Sequence, residues 1–143
     1  MTVAALKLMQ GDVLSYPYLW RWQAEKGETE GRKDRPVCLA LPLHKRGVTH
    51  LFLLAITGTP PREEQTTLAI PEIERRRAGL KDWKEAWIVI DECNYDVAER
   101  SFHLDLSQAV LGRFSEAFTE RIKSALRAVV EGGSMARINR TAD

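Results

Sequence analysis

The stretch THLFLLAIT, Thr49 to Thr57, constrains this chain more than any other segment. A strand with one wet face alternates apolar and polar residues, whereas a strand that is apolar throughout is covered on both faces. This stretch is also far shorter than a membrane span requires. It therefore predicts a central strand in a barrel or sandwich, and its neighbours must supply two apolar covers.

Those neighbours are short and β-like. Gly11 and Asp12 form a turn signal before VLSYPYLW, where Pro17 marks an edge or an end because it has no N–H for a ladder. RPVCLAL predicts a second strand, with Pro36 in the tolerated first position. A turn at His44 to Gly47 leads into the central strand. TGTPPREEQ reads as a loop, TTLAI as a fourth strand, and Pro71 to Arg77 as a helical turn ending near Gly79. AWIVI, Ala86 to Ile90, is a fifth strand followed by the polar run DECN, and SFHLDL alternates as a sixth would. Gln23 to Asp34, charged and without periodicity, reads as a long mobile loop.

The C-terminal part changes period. Ser115 is an N-cap signal, and Phe118, Ile122, Ala125, Leu126 and Val129 recur on one helical face until Gly132 and Gly133 stop it. The expectation is a mainly β (α+β) protein: a small barrel or sandwich of five to six strands closed by one C-terminal amphipathic helix. One domain of 143 residues is expected, with its core from about residue 11 to 131 and a tail from Gly132 to Asp143 that frays.

Composition excludes several classes. A formal net charge of +1 argues against coating nucleic acid by charge alone, though not against a local site. Cys38 and Cys93 form no C-x-x-C pair and read as buried reduced thiols. His44, His50 and His103 lack metal-pair spacing, so neither metal nor cofactor is expected. The N-terminus is a poor signal peptide, which gives a cytoplasmic expectation and no membrane partner.

Positive charge gathers in GRKDRP, Gly31 to Pro36, at the mouth of the second strand. Arg35 has two readings: a surface arginine paired with Glu28, Glu30 or Asp34, or a phosphate ligand. Pro36 restrains Arg35 toward extended backbone, and its planar fork suits phosphate oxygens. Trp20 and Trp22 could stack bases of a single strand, or cover the barrel end or a dimer interface, which is the expected use.

The order of these signals resembles the PemK/MazF family of toxin–antitoxin endoribonuclease toxins. The resemblance rests on GDVLSYPY, the polar loop, RPVCLAL, a strand ending in threonine, and the late LGRFSEAFTERIKSAL, and it covers roughly Gly11 to Val130. It implies an SH3-like barrel, a homodimer, metal-independent cleavage of single-stranded RNA at short sequences, and neutralisation by a small antitoxin protein. By the same resemblance Arg35 stabilises the transition state, Thr57 hydrogen-bonds the scissile phosphate, and Asp91 is a base or substrate contact. Arg32 and Lys33 surround Arg35 electrostatically, while Glu92 and Asn94 would read a base edge. Val89 stands where some members carry an arginine, and the Gln23–Asp34 loop is longer and more acidic than theirs. The alternative expectation is a catalytically inactive SH3-like barrel that binds protein or nucleic acid.

Overall fold

The structure, a computed structural model, describes residues 8–105, 107 and 110–141. It is a mainly antiparallel β-sheet with few helices. The elements are β1 (Asp12–Tyr16), α1 (Arg21–Glu25), β2 (Arg35–Lys45), β3 (Val48–Thr57), β4 (Thr67–Ala69), α2 (Glu72–Arg77), β5 (Trp87–Val89), β6 (Glu92–Val97), β7 (Gly112–Arg113), α3 (Glu116–Glu131) and β8 (Ala136–Asn139).

The expected central strand is central. β3 pairs with β2 along one edge, and its other edge pairs first with β6 and then with β5. Leu51, Leu53 and Ala55 enter a core shared with Leu14, Tyr16, Val37 and Leu39. Leu54 and Ile56 enter the opposite core with Ile88, Phe114, Phe118 and Ile122. Two cores, one per face, account for the missing alternation. Helix α3 covers the second core with the expected face, and Ser115 caps it by accepting from the Phe118 N–H at 3.1 Å. No helix among the described residues is long and apolar enough to cross a membrane.

Five expectations are corrected. The strand pairings run β4-β5-β3-β2-β1-β7, with β6 and β8 branching from β3, and the two ends do not pair. The sheet is therefore open rather than a closed barrel, and it has eight strands among the described residues rather than five or six. The sixth strand is ECNYDV, not SFHLDL: residues 101–105 form no strand, and Leu106 lies outside the described residues. Its polarity is what hid it. Glu92, Asn94 and Asp96 alternate with Cys93, Tyr95 and Val97, and all three polar side chains are buried with partners instead of facing water.

The tail does not fray throughout. Residues Ala136–Asn139 pair in parallel with Glu92–Tyr95, and Ile138 is buried. The Gln23–Asp34 segment, finally, does not begin as loop. Arg21–Glu25 is helical, with buried Gln23 accepting from the Trp20 N–H at 2.9 Å and the Glu92 carboxylate accepting from the Arg21 N–H at 2.9 Å. An anionic acceptor at a helix start offsets its unpaired N–H groups.

Candidate functional site

Antiparallel pairing carries the strand-end residues to one place. The β2–β3 register pairs Val37 with Ala55, and Arg35 and Thr57, each two residues beyond, line one cleft. β6 starts at this same end of β3, because Leu53 pairs with Asn94. The chain leaving β1 turns at Pro17 and passes beneath Arg35 at Trp20, with Tyr16 and Arg35 paired across β1 and β2. An open cleft of about 550 Å³ results, lined by Lys33, Arg35, Thr57, Arg62 and Glu92 and by Trp20, Trp22 and Trp83. A smaller extension of about 280 Å³ reaches Arg32 and Tyr18.

The loop that brings the cations here is held at close range. A Cβ at Gly31 would lie 2.2 Å from the Pro17 carbonyl oxygen, so only glycine lets this backbone cross Pro17 and Tyr18.

Arg35 is half-buried, and its guanidinium lies 5.0 Å from the centre of the Trp20 ring. None of Glu28, Glu30 or Asp34 pairs with it. Glu28 instead takes Arg32, through two hydrogen bonds of 3.1 and 2.9 Å. Among the described residues no carboxylate lies within ion-pair distance of Arg35 or Lys33. Burial lowers the Arg35 guanidinium from its ordinary value, the direction expected when water is removed from a charge without a counterion. Arg32 stacks over Trp22 at 4.9 Å, and its charge is largely matched by Glu28.

Thr57, also half-buried, accepts from the Thr59 N–H at 3.1 Å, which leaves its own O–H free to donate. Glu92 is 9% exposed. Its Oε2 accepts from the Arg21 N–H and, at 3.1 Å, from the Tyr18 hydroxyl, whereas Oε1 has no hydrogen bond among the described residues. Burial pushes the Glu92 carboxyl above the ordinary glutamate range, although the bonds from Arg21 and Tyr18 oppose this. A carboxyl so placed can exchange a proton nearer neutrality than a solvated one.

Two expected site residues are not in the cleft lining. Asp91 accepts from the Thr66 N–H at 3.1 Å and so ties the 59–66 loop to the β5–β6 junction, the turn-capping use of an aspartate. Asn94 is fully buried. Its Oδ1 accepts from the Leu19 N–H and from Arg140, and its Nδ2 donates to the Leu19 carbonyl, so the amide is enclosed by chain contacts and not open to a base. The one-residue step from Asp91 to Glu92 reverses the side chain across the strand. Glu92, expected only at a base edge, is therefore the carboxylate that lines the cleft with Arg35 and Thr57.

Arg62, Gln65 and Trp83 were missed. Arg62 and Gln65 sit on a loop read only as a connection and Trp83 on a segment given no element, and no periodicity marks such a residue as facing a cleft. The chain matches no protein-family model, and no curated protein is significantly similar to it.

Proposed function

We propose that the protein is a metal-independent endoribonuclease acting on single-stranded RNA, of the PemK/MazF type. One observation carries this reading: Arg35, a guanidinium without a carboxylate partner among the described residues, shares a cleft with the free O–H of Thr57 and the raised carboxyl of Glu92.

The chemistry follows from that set. Glu92 accepts the 2′-hydroxyl proton, the 2′-oxygen bonds to phosphorus, and the 5′-oxygen leaves and is protonated from water, giving a 2′,3′-cyclic phosphate. Arg35 neutralises the charge that builds on the phosphoryl oxygens, and Thr57 donates to one of them. Trp83, with Trp20 and Trp22 beneath Arg35 and Arg32, makes the cleft lining aromatic, a surface suited to unstacked bases, and Lys33 and Arg62 line it for neighbouring phosphates. An SH3-like character of the open sheet, a homodimer, a small antitoxin partner and a cytoplasmic setting belong to the same proposal through the sequence resemblance.

Arg35→Ala tests it. Arg35 lies at the start of β2 and carries no structural ion pair, so the variant should keep its fold and lose RNA cutting. Cutting at the wild-type rate would remove Arg35 from the chemistry.

A second reading is a non-catalytic module, built on the same open sheet, that binds RNA or protein without cutting. Two features favour it: Val89 is fully buried, so no second arginine reaches the cleft from β5, and Glu92 Oε2 is committed to Arg21 and Tyr18.

A further inference from the structure

A second, larger concavity of about 650 Å³ lies between α1, the 102–103 segment and β8, apart from Arg35 and Thr57. Arg140 lines it and is only 4% exposed. Its Nη1 donates to the Pro17 carbonyl at 2.8 Å and to Asn94 Oδ1 at 2.9 Å, and the guanidinium lies over the Tyr16 ring at 5.4 Å. These contacts fix the plane of the group. Its other two nitrogens, Nε and Nη2, are buried and have no hydrogen-bond partner among the described residues.

The two bare nitrogens are not an arbitrary pair. Nε and Nη2 share one edge of a guanidinium, and their N–H groups run parallel along it, which is the edge that accepts both oxygens of a carboxylate. Burying charged donors without a partner is costly. Nothing in the described chain supplies the missing acceptors, while the residue that carries them lines a cavity.

We propose that this cavity is a binding site for a small carboxylate with an apolar body, its carboxylate seated on Nε and Nη2 of Arg140. The charge around the cavity favours a monoanion over a phosphate dianion. Arg21 is paired with Glu25, and the lining's three carboxylates, Glu25, Glu28 and Glu30, equal its three arginines, Arg21, Arg137 and Arg140, so the lining carries no surplus of positive charge. His103, in the same lining, is held below its ordinary value by burial and by the Arg140 charge, so it adds no second cation near neutrality. Phe102, 80% exposed, offers the ligand an apolar surface that has no other evident use. Because both nitrogens are buried, the lining must shift locally to admit a ligand, and the affinity for a bare probe such as acetate is expected to be in the millimolar range.

The test follows the Nε–H resonance of Arg140 in the full-length ¹⁵N-labelled chain, recognisable by its protection from solvent exchange. Acetate, benzoate, inorganic phosphate and chloride are titrated separately at matched ionic strength. The expected result is saturable movement with acetate, binding of benzoate about tenfold tighter as part of its ring is buried, and no saturable movement with chloride. Phe102→Ser, a change at an exposed position, should weaken benzoate several-fold and leave acetate unchanged. A resonance that responds to none of the anions, or to all of them alike, would overturn the site. A response to phosphate alone would overturn its assignment to carboxylates.

Discussion

The Asp12 carboxylate and the Arg113 guanidinium meet at 2.6 Å, although 101 positions separate them in the chain. Asp12 belongs to the Gly-Asp that opens β1, and Arg113 to the Leu-Gly-Arg-Phe stretch that introduces α3. Two short motifs that carried the sequence resemblance thus form one contact, joining β1 to β7 and fixing where α3 begins. Asp12 is fully buried and Arg113 half exposed, so the pair is asymmetric.

Removing Arg113 leaves a buried carboxylate whose remaining partner is the Met9 N–H at 2.8 Å. Arg113→Ala is expected to cost roughly 2–3 kcal/mol, somewhat less than breaking a fully buried pair. Urea unfolding measures this directly, and a loss below about 0.5 kcal/mol would class the contact with ordinary surface pairs.

Asn94 holds the segment after β1 against β6. Asn94→Ala removes three hydrogen bonds and leaves the Leu19 N–H and carbonyl without those partners, at an expected cost of about 3 kcal/mol. A loss that small variants at exposed positions also produce would mean that water replaces the amide.

The two thiols should be inert. Burial pushes Cys38 up to about 12 and Cys93 up to about 11, and both are buried and unpaired. At neutral pH a thiol reagent should titrate neither cysteine in the folded protein and both after unfolding. Rapid reaction of either in the native state would contradict their placement in the sheet.

Glu92 gives stability a pH-dependence of known sign. Its folded-state value is raised by burial, so the folded protein holds this proton more tightly than the unfolded chain does. The associated stability is present below the unfolded value of 4.5 and is lost as pH rises through the folded one. Glu92→Gln keeps an oxygen for Arg21 and Tyr18 and lacks the titration. The stability of wild type relative to this variant should therefore fall as pH rises above 4.5 and then level off. A constant difference across this range would show an ordinary carboxyl.

Much of the fold was legible where burial and local chemistry agree. β3 could be read because it is apolar on both faces, and α3 because its cap, face and glycine stop coincide. The end of β1 followed from Pro17. β6 was illegible because its inward face is polar: Glu92, Asn94 and Asp96 are buried only because Tyr18, Leu19 and Tyr16 lie opposite to bond them, and those partners are some 70 to 80 positions earlier in the chain. β8 is too short to announce itself, and it exists because β6 offers an edge.

Within the candidate site, Arg35 and Thr57 were accessible because they end adjacent antiparallel strands. The choice between Asp91 and Glu92 was not, since it turns on which residue begins the strand. No local pattern distinguishes a carboxylate that caps a loop from one that faces a cleft.

The most direct measurement of the central claim is to incubate the purified chain with single-stranded RNA of mixed sequence, and with DNA of the same sequence, in excess EDTA. The chemistry of the new ends is then read. The account predicts RNA cut to fragments ending in 2′,3′-cyclic phosphate and DNA left intact, because only RNA carries the attacking hydroxyl. RNA left intact by folded protein, or DNA cut alongside it, would contradict the account.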